Sequence, residues 1–226
     1  MTSTINRKEM MKKIMVLLVV AISAAGVACA QTDTKAKAIL AQVSKKYKAY
    51  DVVKADFVFT LDNQQAKIKE TQQGTLYVKA KANKYKIAMT DQDLISDGKT
   101  QWTYLKENKE VQVTTVDDSG DALNPAKIFT IYEQGFKYLY TGESKAGGKV
   151  YQMIDLSPTD TKKSYFKIRL SIDKNAKQIA SATIFENSGN KYTYTIKSLV
   201  PNVKVAESTF SFDPKRFPGV EVVDLR

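Results

Sequence analysis

The stretch that decides the fold is Leu94-Ile95-Ser96-Asp97-Gly98-Lys99-Thr100-Gln101-Trp102-Thr103-Tyr104. Asp97-Gly98 is a typical two-residue hairpin signal, because a type I′ turn needs positive φ at both central positions. Apolar and polar residues alternate in five short runs across residues 74–115, with turn residues between them. This pattern predicts antiparallel strands with one buried face. A buried face rich in large aromatic residues either packs on itself or lines a cavity.

Upstream of this sheet, the sequence predicts a helix over residues 32–50, capped by Asp33 or Thr34. Ile39, Leu40, Val43 and Tyr47 recur at helical spacing, with lysines on the other face. A strand over residues 55–61 follows.

A second helical region is predicted from Asn124-Pro125, a cap followed by a proline suited to the first helical position. It is expected to continue past Gly135 through residues 136–140 and to lie over the apolar face of the sheet. Strands with strict alternation return over residues 150–199. No linker or repeat interrupts the chain, so residues 31–226 are read as one domain. The predicted fold class is α+β: an unclosed, strongly curved antiparallel sheet (half-barrel) of about 10–11 strands, with an α-helical lid over an apolar cavity.

Residues 1–30 have the organisation of a signal peptide. Lys12 and Lys13 precede an apolar run over residues 14–25, and Ala28-Cys29-Ala30 has the small-x-small form of a cleavage site. The apolar run is too short to span a bilayer. We expect export to the periplasm and cleavage near Ala30. Lipidation of Cys29 stays open as an alternative, although Gly26 stands where a lipobox has an aliphatic residue.

Composition excludes several kinds of chemistry. The 226 residues contain no histidine and a single cysteine, Cys29. A Ser-His-Asp triad, a cysteine nucleophile in the mature domain and a zinc–thiolate site are therefore excluded. The acidic run over residues 117–121 lacks the glycine and glutamate of an EF-hand loop. Asp91, Asp93 and Asp97 are interpreted as solvated hairpin residues. We expect no metal, no cofactor and no enzymatic activity; a glycosidase would need a carboxylate pair that the sequence does not show.

The formal net charge is +11, and the lysines lie at alternate positions on predicted strands and in turns. This favours a solvated outer face of the sheet. Attraction to anionic membranes or acidic partners is the second interpretation. Nucleic acid is not expected as a partner.

Several segments, in order along the chain, resemble the LolA family of periplasmic lipoprotein carriers. The most specific is Ser96-Asp97-Gly98-Lys99-Thr100-x-Trp102. The others are Ala55-Asp56-Phe57, Gly74-Thr75-Leu76-Tyr77-Val78-Lys79, Asn124-Pro125, Phe210-Ser211-Phe212-Asp213-Pro214 and Gly219-Val220-Glu221-Val222.

The resemblance implies a monomeric carrier that holds lipoprotein acyl chains in an apolar cavity. Its partners would be acylated lipoproteins as cargo, an ABC-type releasing complex in the inner membrane and an outer-membrane acceptor. The expected cavity residues are Phe57, Phe59, Tyr85, Ile87, Trp102, Tyr104, Ile128, Phe129, Ile131, Tyr132, Phe166 and Ile168. For each of them simple core packing is the alternative.

The chain departs from the family at its lid latch. The family's lid-binding arginine is absent, and Lys81 is the candidate in its place. The competing function is a binder of free lipid or of a lipid or stress signal with the same fold, either free in the periplasm or anchored to a membrane through Cys29.

Overall fold

A computed structural model describes residues 25–116 and 129–226, with side chains described from residue 34 onward. These residues form one α-helix, α1 (Ala25–Lys48), and twelve strands. The strands are β1 (Val53–Asn63), β2 (Ile68–Lys79), β3 (Lys84–Met89), β4 (Gln92–Ser96), β5 (Thr100–Leu105), β6 (Glu110–Thr115), β7 (Phe136–Ala146), β8 (Lys149–Pro158), β9 (Tyr165–Asp173), β10 (Gln178–Glu186), β11 (Lys191–Pro201) and β12 (Glu221–Asp224).

All twelve strands belong to one sheet, in the order β12-β6-β5-β4-β3-β2-β1-β11-β10-β9-β8-β7. Neighbouring strands are antiparallel except β12, which pairs in parallel with β6. The sheet is unclosed, with β12 and β7 at its edges. The predicted fold class is confirmed, and the sheet has one strand more than the upper end of the expected range.

Helix α1 buries Ala36, Leu40, Val43 and Tyr47, which share one stripe of the helix. The predicted spacing is therefore confirmed. The predicted cap is wrong, because the helix begins at Ala25 and residues 33 and 34 lie within it. Three lysines in its last turn interact favourably with the partial negative charge of a helix C-terminus.

The turn between β4 and β5 differs from the predicted type I′ turn. Ser96 pairs with Gln101, and the Asp97 N–H donates to the Thr100 carbonyl at 3.3 Å, so Gly98-Lys99 forms the tip. Asp97 shapes the turn with its side chain, since Oδ1 accepts from the N–H groups of Lys99 and Thr100 at 2.9 and 2.8 Å. Gly98 has φ +99°, and a Cβ there would stand 2.6 Å from the Ala82 carbonyl oxygen.

Residues 136–140 form the start of strand β7, so the predicted continuation of the lid helix is wrong here. The reason is visible in the sequence: Phe136, Tyr138 and Tyr140 are more buried than the residues between them, which is a period of two. Before β7, Ile131–Glu133 forms a single 3-10 turn. The predicted helix start at Asn124-Pro125, Ile128 and the acidic run 117–121 lie outside the described residues.

The two faces of the sheet are covered by different parts of the chain. Helix α1 lies on one face, here called the inner face, over the large core. On the outer face a smaller core joins Ile95, Val111 and Phe212, with Phe217 and Val220 against it. The C-terminal segment after β11 therefore covers the outside of β4–β6 before it ends in β12.

Candidate functional site: the apolar inner face

Helix α1 covers one part of the inner face completely. It packs against β7, its Lys46 Nζ donates to the Ala176 carbonyl at 2.6 Å, and Lys35 Nζ lies 3.9 Å from the centre of the Tyr140 ring. Side chains of β8 and β9 beneath it are fully buried: Ile154, Leu156, Leu170 and Ile172. This part of the face is a packed core.

The rest of the inner face carries large apolar side chains that are only partly buried. We call this set the apolar strip; its members are Phe59, Ile87, Met89, Leu94, Tyr192 and Tyr194. The ring of Phe59 lies 6.0 Å from that of Tyr192 and 5.2 Å from that of Tyr194. Burial raises the pKa of the Tyr194 phenol, which keeps the strip uncharged. An apolar chain laid along it would meet aromatic rings and aliphatic side chains.

A glycine lets the strip continue across β2. Gly74 pairs with Phe57 on one side and with Met89 on the other. A Cβ at Gly74 would stand 2.6 Å from the Phe57 ring, so that ring lies directly on the glycine. Gly74 thus sets the depth of the inner face between β1 and β3.

A short segment before β7 packs against α1. Phe129 stacks on Tyr47 with ring centres 4.3 Å apart, and Ser44 Oγ donates to the Tyr132 hydroxyl at 3.1 Å. The Tyr138 hydroxyl donates to the Tyr132 carbonyl at 2.5 Å. Burial raises the pKa of the Tyr132 phenol, so it stays neutral and accepts from Ser44. We call residues 129–133 the cover segment.

Most of the predicted cavity residues that the structure describes share this inner face. Phe57, Tyr85, Phe129, Tyr132 and Ile168 belong to its buried core, with Phe59, Ile87 and Ile131 packed against it. Tyr85 is only 1% exposed, and its hydroxyl donates to Gln101 Oε1 at 2.5 Å. It therefore lies deeper than a ligand-facing position.

Trp102 and Tyr104 lie on the opposite face, so the prediction that they share the cavity is wrong. Trp102 pairs with Ile95, and the Tyr104 ring lies 4.9 Å from that of Phe217 in the outer core. Period-two alternation shows which residues share a face, but not which face is the inner one. On β5 the apolar set faces outward.

Phe166 is also misplaced by the sequence pattern. It alternates with Ile168, yet it is 54% exposed whereas Ile168 is buried. The pairing of β9 with β10 shifts between Phe185 and Glu186, which leaves Phe166 unpaired opposite the shift. The extra residue of a β-bulge has no partner in the neighbouring strand, so the regular alternation of side chains between the two faces is interrupted there. Phe166 is this extra residue, and its side chain lies on the outer face.

The sequence matches the family model described as outer membrane lipoprotein carrier protein LolA over residues 48–213. This chain belongs to the LolA family. The resemblance found in the short motifs is thus confirmed over most of the chain. A comparison with curated proteins gives no significant match.

Solved structures include folds similar to that of this LolA-family protein. An uncharacterized conserved protein from Thermus thermophilus is 13% identical, with a TM-score of 0.54 over 84% of this chain and 99% of that one. A LolA superfamily protein from Nitrosomonas europaea is 10% identical, with a TM-score of 0.43 over 78% and 97%. The lipoprotein LppX of Mycobacterium tuberculosis is 13% identical, with a TM-score of 0.46 over 75% and 98%. The Thermus protein shares the fold; at this identity it shows no more than that.

Lys81, the candidate for the lid latch of this LolA-family protein, is an exposed residue in the 3-10 turn Ala80–Ala82. It lines a pocket of about 260 Å³ together with Phe129 and Thr130 of the cover segment. The geometry puts Lys81 beside the segment it would hold, and its role stays a prediction.

Four members of the strip were missed as candidates: Met89, Leu94, Tyr192 and Tyr194. Met89, Tyr192 and Tyr194 alternate in the sequence just as the predicted residues do. What the sequence lacks is the pairing of β1 with β11, which brings Phe59 opposite Tyr194 across a separation of more than 130 residues.

The described residues contain no group of acidic or cysteine side chains placed to hold a metal ion. Asp93, expected to be solvated, is instead paired with Lys86 at 3.3 Å and Lys106 at 2.7 Å. No described helix has the length and apolar content to cross a bilayer.

Proposed function

We propose that this LolA-family protein is a periplasmic carrier that holds lipoprotein acyl chains on the apolar strip and moves them from the inner to the outer membrane. The observation that supports it is a set of partly exposed aromatic and aliphatic residues on the inner face. A buried acyl chain contributes about 0.8 kcal/mol per CH₂. A multi-chain cargo therefore needs an extended apolar surface of this kind to leave a bilayer.

Release of the cargo would depend on the cover segment. It is tied to α1 by one ring stack, one hydroxyl hydrogen bond and an exposed ion pair between Lys48 and Glu133 at 2.7 Å. Exposed ion pairs contribute about 0–1 kcal/mol. These contacts can break while the hydrogen bonds between strands stay intact, so the cover segment can move away from α1 without unfolding of the sheet.

The proposal includes a route. Residues 1–30 would direct export and be removed near Ala30, leaving residues 31–226 as a soluble monomer. The carrier would take its cargo from an ABC-type releasing complex and give it to an outer-membrane acceptor, and it would catalyse no reaction. Cys29 would be removed with the signal peptide, since a shuttle cannot be anchored to one membrane.

Native mass spectrometry of the protein purified from periplasm tests the proposal. We expect co-purified tri-acylated lipoprotein, and loss of that cargo in Ile87→Gln, which places an amide in the strip at a partly buried position. Val200→Gln is the matched control, because Val200 is an exposed apolar residue at the far end of β11.

Three outcomes separate the hypotheses. Lipoprotein cargo sensitive to Ile87→Gln supports carriage. Free phospholipid or fatty acid without lipoprotein overturns carriage and favours a lipid or lipid-signal binder. A bare polypeptide that also takes up no apolar dye overturns any binding role for the strip.

A further inference from the structure

A row of lysines and a phenylalanine crosses the outer face at one end of the sheet. Strand registers define it: Asp62 is opposite both Lys69 and Lys191, and Phe185 is opposite both Lys191 and Lys167. We call Lys69, Asp62, Lys191, Phe185 and Lys167 the outer rim row. It spans five adjacent strands and contains three lysines and one carboxylate.

Phe166 adds an exposed ring to this row, beside the half-buried ring of Phe185. The bulge in β9 turns it outward, where it is 54% exposed, and its ring centre lies 6.2 Å from that of Phe185. Lys167 Nζ lies 4.3 Å from the centre of the Phe185 ring and 6.0 Å from that of Phe166. The two neighbouring rings form an apolar patch rimmed by lysines, the kind of surface that marks a protein or membrane interaction site when it is contiguous.

Further lysines extend the basic surface. Lys162 is exposed in the loop between β8 and β9, and that loop joins the next one through the Asn187 N–H, which donates to the Ser164 carbonyl at 2.9 Å. Lys137 is exposed on β7 opposite Ser157. The acidic residues at this edge are Asp62, Glu70, Asp155, Asp160 and Glu186. Asp155 Oδ2 lies 3.9 Å from Lys167 Nζ, and Glu186 accepts hydrogen bonds from Ser188 and Asn190.

The outer rim row lies at the same end of the sheet as the apolar strip. Lys191 on the outside is followed directly by Tyr192 on the inside, and Phe59 of the strip precedes Asp62 of the row by three residues on β1. Whatever binds the row from outside therefore stands next to the end of the strip.

We propose that the outer rim row, with Phe166, docks this protein on a membrane surface that contains anionic phospholipid. The lysines would contact phosphate groups while Phe166 enters the interfacial region, where aromatic rings are favoured. A broad row of lysines across five strands, with the Phe166 ring standing out beside it, fits an extended lipid surface better than it fits a compact acidic protein. The inference concerns the outer face and does not depend on what the strip carries.

Vesicle co-sedimentation of the purified full chain tests the docking surface. We expect binding to phosphatidylcholine vesicles that contain about one third phosphatidylglycerol, weak binding to pure phosphatidylcholine, and loss of binding as salt rises. Each lysine removed from the row should weaken binding about fivefold. The test variants are Lys167→Gln combined with Lys191→Gln, and separately Phe166→Ser.

Matched control variants remove lysines and an apolar side chain from the opposite end of the sheet. Lys145→Gln combined with Lys177→Gln takes two exposed lysines from the opposite end of the sheet, and Val200→Ser removes an exposed apolar side chain there. These variants should bind vesicles like the wild type. Equal losses in test and control variants would show a general charge effect and overturn the proposal.

Uptake of an apolar dye in the same variants separates docking from carriage. Phe166→Ser should leave dye uptake unchanged, because Phe166 lies on the outer face. Unchanged vesicle binding in both test variants overturns the docking surface. If vesicle binding is unchanged in both test variants, but these variants no longer bind a purified acidic protein domain that the wild type binds, the row is assigned to protein recognition instead.

Discussion

At the scale of single residues, two glycines set the geometry on which the site depends. Gly74 allows the Phe57 ring to lie on the floor of the inner face, and Gly98 allows the β4–β5 turn to approach the Ala82 carbonyl. The second contact joins that turn to the 3-10 turn that carries Lys81. A side chain at either position would displace a neighbour.

Gly98→Ala should destabilise the protein more than Gly148→Ala. Both glycines have positive φ, which costs an alanine about 1–2 kcal/mol. At Gly98 the added methyl also meets a backbone oxygen at 2.6 Å, whereas at Gly148 it meets nothing within 4 Å. We expect a further loss of about 1–3 kcal/mol for Gly98→Ala, measured by urea denaturation. Equal losses would show that the Ala82 contact relaxes at no cost.

Individual residues also show which side-chain positions could be predicted from the sequence. Alternation correctly grouped Phe57 with Phe59 and Tyr85 with Ile87, because strands keep a period of two. It placed Trp102 and Tyr104 on the wrong face, since the C-terminal segment that covers them is far away in sequence. It misplaced Phe166 because a bulge depends on the partner strand, whose register no local pattern contains.

At the scale of elements, α1 and the cover segment pack against each other through side-chain contacts. One contact between them is the stack of Phe129 on Tyr47, whose ring centres lie 4.3 Å apart with the rings nearly parallel. Burial raises the pKa of the Tyr47 phenol, so this contact stays uncharged. The prediction of a helix over the inner face was right for α1, and the helical reading of 136–140 failed because the aromatic spacing there has the period of a strand.

Phe129→Ala should loosen the cover segment and make the strip easier to reach. Loss of a buried phenylalanine costs about 3–5 kcal/mol in a rigid core, and less here if the segment opens. We expect faster uptake of an apolar dye, measured by stopped-flow fluorescence, with the circular dichroism of the sheet unchanged. Ser44→Ala, which removes one hydrogen bond from the same segment, should cause a smaller change in the same direction. Slower uptake in Phe129→Ala would mean that Phe129 itself contacts the ligand.

At the scale of the whole molecule, the C-terminal segment fastens the outer face through charge as well as packing. Glu207 accepts hydrogen bonds from Lys79 Nζ at 2.5 Å and Lys84 Nζ at 2.9 Å, which join β2 and β3 to the segment. These two lysines lower the pKa of Glu207 to about 2. The unperturbed value is 4.5, so the folded state favours the ionised form.

The contribution of Glu207 to the free energy of unfolding should therefore decrease as the pH falls. It is fully present above about pH 4.5 and is lost as pH falls through about 2, because protonation then removes the ion pairs. We expect Glu207→Gln to reduce the loss of stability over this window, measured by urea denaturation at each pH. The difference should shrink in about 1 M salt, since Glu207 is exposed and screened. A steeper loss in the variant would contradict the assignment.

The pairing of β1 with β11 has a consequence for the order in which the molecule is made. Strands β1–β6 form one series of hairpins and β7–β11 another, and the join between them places Val53 opposite Pro201. Contacts between residues so far apart in sequence form slowly, because a long loop must close first. During synthesis the pairing of β1 with β11 cannot be completed until residue 201 of 226 has emerged. Until nearly its whole length exists, the nascent chain therefore lacks the strand pairs that join its two series of hairpins.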